Sequence, residues 1–541
     1  MKLTWLKIVN SQRLQDLEIR VREHLVIVGA NDVGKSSLLR LLNLTFACTV
    51  GQLYQSLSRA DLRDPMRPLI VEAAFAELTG EERRLFYREI DIDPEDQTTA
   101  TLKIRLDVEP VDGDPEAITI RRWLPGTAEG RAPTRDQIAA LGWRYLSANR
   151  TAGASLLDGP NSALRTLLDA IDMGPEAHQL TGLLDDFNEK LGVSERLGEL
   201  RGTVADHLSK AMPQTVTADD LAIRTQSDPA ASVLAGVSMF FSRNGQYVPL
   251  IEQSDGMRQL VAMTLFDLAE AGANIVAVDE PELHLQPSNQ RNVATLFASG
   301  ANQKIVATHS AYVLQCFEPA HVLVIAPDGS AHQLNENRFD TIEKLRLQWW
   351  SPHLLEALTA RYVIAVEGIS DRRIVQRAAR VLGIDLDRIG AMVFTLDGAD
   401  KFRHVYALLG KNGFGVCVLG LVDEAEKGIF CGAYGGKQSI VLGDRVWACQ
   451  IDLEHEYCTA LTATGMNELL VAAKVCREGA LREASGVAGD DDLTIEGIAR
   501  FCRNNKTAAA EAVSASLTAE QVTRMPAVKG ILEKVRELAA R

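Results

Sequence analysis

The chain has few features of a secreted or membrane protein. Its eight cysteines are scattered through 541 residues without a CxxC pair. That spacing predicts reduced thiols and argues against a disulfide framework or a zinc site. No apolar run approaches the roughly 18 to 20 residues that a membrane-spanning helix requires, and the N-terminus lacks the apolar core of a signal peptide. We therefore expect a soluble, cytoplasmic protein with no membrane partner.

Strong positive charge and long heptad patterns are also missing. The chain has 57 basic and 72 acidic residues, which gives a formal net charge of −15. This balance excludes a histone-like polycation, although a local basic face could still bind DNA. Without heptads there is no long coiled-coil arm of the kind that SMC proteins carry. A chain of this length is too long for one hydrophobic core, so we expect two or three domains.

The first informative motif is GANDVGKS at residues 29–36, which follows an apolar strand pattern and precedes a helical pattern. In a G-x-x-x-x-G-K-S loop, backbone N–H groups surround phosphate at the N-terminus of a helix. We expect Lys35 to contact the β- and γ-phosphates of ATP and the Ser36 hydroxyl to bind Mg²⁺. The residues predicted to bind nucleotide in this loop are Gly29, Asn31, Gly34, Lys35, Ser36 and Ser37.

The second half of an ATPase site is predicted in IVAVDEPELHLQP, where two adjacent acids end an apolar strand. Asp279 would hold the Mg²⁺ shell, and Glu280 would orient or deprotonate the attacking water. The alternative is a solvated turn at the end of the strand.

Two further segments resemble parts of ABC-type ATPases. QSDGMRQL places Ser254 and Gly256 before a predicted helix, as in the signature segment, and KIVATHS places His309 where these ATPases have a switch histidine. An ordinary strand-end histidine is the alternative for His309. The signature acts on the nucleotide of a partner subunit, so the resemblance implies a head-to-head dimer.

A different pattern begins near residue 350, where three apolar segments are each followed by an acid. Glu367 follows VIAV, Asp423 follows VLGLV and Asp452 follows VWACQI. The carboxyl ends of parallel strands meet at one edge of a sheet, where α/β sites usually lie. Carboxylates gathered there suit Mg²⁺, with Mn²⁺ as a substitute, and such a metal supports phosphodiester hydrolysis. Asp371 is close enough in sequence to reach the same pocket. Solvated strand ends and helix caps are the alternative.

Together these motifs resemble the OLD (overcoming lysogenization defect) family of ATP-powered nucleases, which includes the nuclease subunit of the Gabija anti-phage system. VEGISD, DGADKFRH and GLVDEAE are similar to motifs of the family's TOPRIM domain, and YLSANR (residues 145–150) is similar to a segment of OLD-type ATPases. DLEHE and Lys506 resemble the family's downstream acid and lysine. The resemblance implies that metal is bound by Glu367, Asp371, Asp423, Glu426, Asp452 and Glu454.

Three features of this half of the chain have more than one interpretation. Many TOPRIM domains have D-x-D in the second acidic motif, but Asp423 is followed by Glu424, Ala425 and Glu426. Either glutamate would have to substitute, which puts a two-metal site in doubt more than metal binding itself. Lys506 could neutralise charge on the cleaved phosphate or be a plain surface lysine. The arginines of DRRIVQRAARV (residues 371–381) could follow a phosphate backbone or form a solvated helix face.

We predict an α/β protein with an ABC-type P-loop ATPase at residues 1–349, a helical dimerising insertion at about 153–235, and a TOPRIM α/β domain at 350–541. The predicted function is a nucleotide-regulated, metal-dependent DNA endonuclease that forms a homodimer or homotetramer. The family resemblance implies anti-phage defence and a helicase or other defence-system subunit as partner. The alternative is an ATP-driven DNA-binding clamp or scaffold with a degenerate TOPRIM domain. A primase- or topoisomerase-like enzyme is less favoured, because the chain shows no clear zinc-binding region or tyrosine-bearing strand-passage domain.

Overall fold

A computed structural model describes most of the chain, with gaps in both halves. The described residues are 1–92, 100–111, 113, 114, 116–126, 130–147, 162–171, 173–211, 217–221, 234, 237–243, 246–270, 272–334, 351–435 and 438–540. The end of the YLSANR segment, much of the predicted insertion and the predicted boundary near 350 lie outside these residues.

The described residues form two compact units. The first contains Met1–Leu146, Ala273–Glu282 and Ala298–Arg541, and the second contains Ser147–Gly272 and Leu283–Phe297. The predicted division into residues 1–349 and 350–541 stays a prediction.

The strands, numbered in chain order, are β1 (Lys2–Val9), β2 (Leu17–Arg20), β3 (Leu25–Val28), β4 (Leu69–Ala76), β5 (Ile90–Ile92), β6 (Ala100–Pro110), β7 (Ile118–Trp123), β8 (Trp143–Leu146), β9 (Phe240–Arg243), β10 (Gln246–Pro249), β11 (Ile275–Asp279), β12 (Gln303–Ala307), β13 (Val322–Ile325), β14 (Ala331–Gln333), β15 (Tyr362–Val366), β16 (Ala391–Thr395), β17 (Cys417–Val422) and β18 (Val446–Ala448).

The helices, numbered in the same way, are α1 (Lys35–Phe46), α2 (Val50–Ser56), α3 (Gly80–Leu85), α4 (Arg135–Ala140), α5 (Ala163–Asp169), α6 (Gly174–Gly192), α7 (Glu195–Ala211), α8 (Asp255–Ala269), α9 (Pro287–Ser299), α10 (Ala311–Leu314), α11 (Pro352–Ala357), α12 (Ile369–Val381), α13 (Phe402–Leu409), α14 (Lys427–Ala433), α15 (Gln438–Val441), α16 (Leu453–Leu461), α17 (Ala463–Ala472), α18 (Ala480–Ser485), α19 (Ile495–Asn504), α20 (Lys506–Ser516), α21 (Ala519–Thr523) and α22 (Pro526–Ala540). Among these helices, none is both long and apolar enough to cross a membrane.

Two sheets share one hydrophobic core in the N-terminal part of the first unit. One is antiparallel, with the order β2-β1-β4-β6-β5 and β7 paired to β6. The other has the order β14-β13-β3-β12-β11-β8, and only the pair β13–β14 is antiparallel. Every residue of β3, β11 and β12 is buried, as expected for parallel strands that are covered on both faces. The apolar strands predicted before and after the glycine loop are therefore confirmed.

The C-terminal part of the first unit is built on a separate sheet, in which all strands are parallel. Its strand order is β16-β15-β17-β18. Helices α12 and α16 to α22 bury apolar residues with those of its strands and form a separate core. On α12, Ile374 and Ala378 are fully buried, and their spacing of four residues places them on the same face of the helix. The parallel topology places the carboxyl ends of all four strands at one edge of the sheet.

The second unit contains helices α5–α8, most of α9 and the β9–β10 hairpin. In α6, a helix of 19 residues, no residue is buried. Large apolar side chains are exposed on α6 and α7, among them Leu183, Phe187 and Leu200. The sequence pattern predicted helices here, and the structure confirms them where the chain is described.

Candidate functional site

Two glycines of the GANDVGKS loop occupy backbone conformations that other residues rarely adopt. Gly29 has φ 154° and Gly34 has φ 108°. A Cβ atom on Gly29 would lie 2.3 Å from the carbonyl oxygen of Ile325 in β13, and one on Gly34 would lie 2.7 Å from a methyl group of Leu14. Glycine is therefore required at both positions by conformation and by space. The loop runs from the end of β3 into α1, with Ser36 and Ser37 in the first helical turn and Asn31 exposed.

Lys35 is buried at the start of α1, and its ammonium group faces the loop. Nζ donates to the carbonyl oxygens of Gly29 at 3.0 Å and Ala30 at 2.7 Å, and it lies 3.4 Å from Nδ1 of His309. Burial lowers the pKa of Lys35 to about 8, although the nearby charges of Glu280 and Asp279 oppose this shift. The structure thus brings the loop lysine, the strand-end acids and the predicted switch histidine together.

The two adjacent acids sit where the sequence placed them. Asp279 is the last residue of β11 and is buried, while Glu280 follows it with a positive φ of 50°. The Glu280 N–H donates to the carbonyl oxygen of Ala307 at 2.8 Å. Its carboxylate Oε1 lies 3.5 Å from Nε2 of His309. A left-handed conformation costs a non-glycine residue about 1 kcal/mol or more. Such strain is typical of a residue held in place for a function.

A residue that the sequence did not single out fixes the position of His309. The carboxylate Oε1 of Glu282 accepts hydrogen bonds from the backbone N–H groups of His309 at 2.6 Å and Ser310 at 3.2 Å. Burial raises the pKa of Glu282, and the hydrogen bond from His309 partly offsets this. Burial also lowers the pKa of His309, and the charge of Lys35 adds to that effect. We infer that Glu282 positions the strand-end histidine. Only its place three residues after Asp279 could have suggested this.

The signature-like residues lie in the second unit. The sequence pattern placed both Ser254 and Gly256 before a helix. Ser254 is indeed the N-cap residue of α8, but Gly256 lies inside the first turn of that helix. A Cβ atom on Gly256 would lie 3.0 Å from the carbonyl oxygen of His284. The contact of these two residues with a partner's nucleotide stays a prediction.

In the fully parallel sheet β16-β15-β17-β18, Glu367 and Asp371 lie at the junction of β15 and α12. Glu367 directly follows β15, and Oδ2 of Asp371 accepts a hydrogen bond from the Gly368 N–H at 2.9 Å. Burial raises the pKa of Asp371 to about 6, and the charges of Glu454 and Glu367 add to the shift. Burial also raises the pKa of Glu367. These two acids therefore lie among the same group of carboxylates, and their binding of a metal stays a prediction.

Asp423 directly follows β17 and lies at the centre of this group of acids. Burial, together with the charges of Asp371, Glu454, Glu367 and Asp452, raises the pKa of Asp423 to about 8. One of its carboxylate oxygens, Oδ1, accepts a hydrogen bond from the Leu453 N–H at 3.1 Å.

The two glutamates after Asp423 differ in their surroundings. Glu424 is exposed and forms an ion pair with Lys427. Glu426 is near enough to Glu367 for its charge to raise the pKa of that residue. The structure therefore favours Glu426 over Glu424 as the substitute for the second aspartate of a D-x-D motif.

Asp452 corrects one expectation. It does not end a strand, because β18 stops at Ala448, and Asp452 is instead the N-cap residue of α16. Its Oδ1 accepts from the His455 N–H at 2.7 Å, and its Oδ2 pairs with Nε of Arg503 at 2.5 Å. Both oxygens are thus used within the protein. Nothing in the sequence signalled Arg503 as a partner.

Glu454 is better placed than Asp452 to serve the acid cluster. It is buried, with only 3% of its surface exposed, and its charge raises the pKa of Asp371 and Asp423. Lys506 begins α20, and its Nζ lies 3.7 Å from Oε1 of Glu454. Burial opposes the charged form of Lys506, but Glu454 and the neighbouring acids raise its pKa overall. Lys506 is therefore an exposed residue that forms an ion pair with the buried Glu454, and its role at the cleaved phosphate stays a prediction.

The acid cluster (Glu367, Asp371, Asp423, Glu426 and Glu454) consists of oxygen donors only, which fits Mg²⁺ or Mn²⁺ and not zinc. Within the described part of the chain, no three acidic, histidine or cysteine side chains already form a metal-binding group. The mutual effects on pKa nevertheless place these carboxylates close to one another. Their side chains would therefore have to move to bind one ion together.

Two family models match the chain. One, described as AAA domain, putative AbiEii toxin, Type IV TA system, matches residues 25–315, which is more than half of the chain. The other, described as Overcoming lysogenization defect protein-like, TOPRIM domain, matches residues 358–424. The second match includes Glu367, Asp371 and Asp423. It ends before Asp452.

Several solved structures are similar to parts of the chain. The C-terminal region of the Burkholderia pseudomallei OLD protein is 22% identical with a TM-score of 0.29, and covers 33% of this chain and 98% of its own. The corresponding region from Xanthomonas campestris pv. campestris is 23% identical with a TM-score of 0.28, over 34% of this chain and 94% of that one. The SMC head domain from Thermotoga maritima is 13% identical with a TM-score of 0.30, over 62% and 100%. A search of curated proteins found no match. Because these TM-scores are low, the family assignment rests on the two family models.

Proposed function

Because the chain belongs to the AAA-domain family and carries a TOPRIM domain of the OLD family, we propose that it is a nucleotide-regulated DNA endonuclease that requires a divalent metal. The observation that carries this proposal is the acid cluster at the carboxyl edge of the fully parallel sheet β16-β15-β17-β18. Burial and the neighbouring carboxylates raise the pKa of Asp423 to about 8. Folded proteins rarely place carboxylates so close together unless the site binds a cation.

Each residue of the cluster has a distinct proposed role. Glu367, Asp423 and Glu454 would hold the metal, with Asp371 and Glu426 completing its shell. A divalent metal at such a site polarises the phosphodiester and lowers the pKa of bound water. Lys506, held beside Glu454, would neutralise charge on the phosphate during cleavage. Asp452 would act indirectly, because its bonds to His455 and Arg503 fix the start of α16 and thus orient Glu454.

The nucleotide site is proposed to regulate cleavage. Lys35 would leave its bonds to Gly29 and Ala30 to contact the β- and γ-phosphates, while Asp279 and Ser36 would hold Mg²⁺. Glu280 would activate water, and His309 would sense the γ-phosphate. We further propose a homodimer or homotetramer in which Ser254 and Gly256 contact a partner's nucleotide, and a role in anti-phage defence.

A plasmid-nicking assay tests the proposed function. Supercoiled DNA is incubated with the purified chain and Mg²⁺ or Mn²⁺, with and without ATP, and then with Glu367→Gln and Glu454→Gln variants. We expect metal-dependent cleavage that both substitutions remove, while ATP hydrolysis is kept, because the two sites lie in different sheets. Glu468→Gln is the matched control, since Glu468 is an exposed residue of α17.

The competing function is an ATP-driven clamp or scaffold with a degenerate TOPRIM domain. It draws support from Asp452, whose oxygens are both used by protein groups. Absence of cleavage on every DNA form, together with intact ATP hydrolysis and DNA binding, would favour the clamp over the nuclease.

A further inference from the structure

A cavity of about 530 Å³ lies in the TOPRIM half, beside the first residues of β16. Its walls are α12, the turn at residues 383–387, the first half of β16 and Glu356 at the end of α11. β16 is the edge strand of its sheet. Cavities of roughly 300 to 1,000 Å³ are the usual size of small-molecule sites, so this one is large enough to enclose a ligand.

Of the four arginines on helix α12, two bond to other protein groups and two line this cavity. Arg373 pairs with Glu511 at 3.2 Å, and Arg377 donates to the carbonyl oxygen of Leu517 at 3.2 Å. Arg372 and Arg380 line the cavity instead, and within the described chain neither guanidinium has a hydrogen bond or ion pair. They are eight residues apart, which corresponds to about 12 Å along the helix axis. Two guanidinium groups that extend from positions this far apart on one helix suit an elongated anion.

The rest of the lining is of a different character. Glu356, Asp385 and Asp387 present carboxylates. Asp385 accepts a hydrogen bond from the Arg388 N–H at 3.0 Å, whereas the side chains of Glu356 and Asp387 lack a partner among the residues described. Between the charged ends, Ile384, Leu386 and Met392 supply apolar surface. A ligand that satisfies all three kinds of group carries phosphate, a flat apolar body, and hydroxyl or amino donors.

We propose that this cavity is a second nucleotide-binding site, separate from the GANDVGKS loop. Arg372 and Arg380 would bind the phosphates. Glu356 and Asp387 would accept hydrogen bonds from the ribose or the base, and the base would pack on the apolar residues. A DNA strand fits less well, because carboxylates in a concave pocket repel a continuous polyanion.

The test isolates this site by removing the first one. Binding of ADP to a Lys35→Ala variant is measured by titration calorimetry in EDTA, which also keeps metal from the acid cluster. We expect one ADP per chain, against two for the unmodified protein. Adding Arg372→Ala or Arg380→Ala should weaken that binding at least tenfold. Adding Arg373→Ala, from the same helix but paired with Glu511, should change it by less than twofold.

The possible results separate the alternatives. If the Lys35→Ala variant binds no ADP, or binds it equally well after Arg380→Ala, the proposal is wrong. It is also wrong if a short single-stranded DNA, but not ADP, binds through Arg372 and Arg380, since the surface would then be a DNA contact. Thermal melting of every variant checks that the fold is kept. Neither DNA cleavage nor ATP hydrolysis enters the measurement, so failure of the nuclease proposal would leave this result unaffected.

Discussion

Replacement of Asp423 by asparagine should stabilise the metal-free protein. Asp423 is surrounded by the charges of Asp371, Glu454, Glu367 and Asp452, and its pKa is raised from 3.8 to about 8. A carboxyl group whose pKa is higher in the folded state binds its proton more tightly there. The folded state therefore loses stability as pH rises from 3.8 to about 8, and loses no more above that range.

The size of the effect follows from these two pKa values. Each pH unit between them costs the folded state about 1.4 kcal/mol, which gives an upper limit of about 4 kcal/mol at pH 7. We expect about half of this, roughly 2 kcal/mol, because side chains relax and water screens a half-buried carboxylate. For a domain of this size, that free energy raises the melting temperature by about 4 to 8 °C.

Thermal denaturation of the full chain at pH 7 in EDTA measures this change. Asp423→Asn should melt at a higher temperature than the unmodified protein, and the difference should shrink as the pH is lowered towards 4. Added Mg²⁺ or Mn²⁺ should stabilise the unmodified protein but not the variant, because the asparagine no longer supplies a charged ligand. The matched control is Asp400→Asn, since Asp400 is exposed and should give no change. A variant that is less stable in EDTA would refute the reasoning.

Three other outcomes follow from the two sites. Lys35→Ala should abolish tight ATP binding, whereas Glu280→Gln should keep binding and slow hydrolysis; a binding titration with a phosphate-release assay distinguishes them, and equal loss of binding would contradict the roles. Glu282→Ala should slow ATP hydrolysis about 10-fold or more because the His309 and Ser310 N–H groups lose a charged acceptor, while Glu282→Gln, which still accepts both bonds, should stay near normal. Lys506→Ala should lower DNA cleavage by about 100-fold yet leave Mn²⁺ affinity measurable by calorimetry, and loss of the metal would show a structural role instead.

The sequence predicted the elements whose signals are local. The glycine loop and the buried strand before Asp279 have spacings that physical chemistry restricts strongly, and the structure confirms both. Glu367 and Asp423 were also placed correctly at strand ends, because an apolar run followed by one acid is a local pattern.

Features that depend on distant residues could not be predicted in this way. The pattern VWACQI suggested a strand running to Asp452, but only Val446–Ala448 pairs with β17. The partner of Asp452 is Arg503, fifty-one residues later. The hydrogen bond from the His309 N–H to Glu282 depends on the pairing of β11 with β12. Such contacts are fixed by packing between elements, and no periodicity within one element reveals them.

The position of β3 affects how the protein can fold during synthesis. This strand carries the glycine loop, yet its two neighbours in the sheet are β12 and β13, near residues 303–325. At about 5 to 20 residues per second, a ribosome needs roughly 15 to 60 seconds to make the intervening chain. Throughout that time the fully apolar strand Leu25–Val28 has unpaired edges that could bind other nascent chains. A truncated product that ends before residue 303 would lack both neighbouring strands, so the glycine loop in such a fragment would not be held for nucleotide binding.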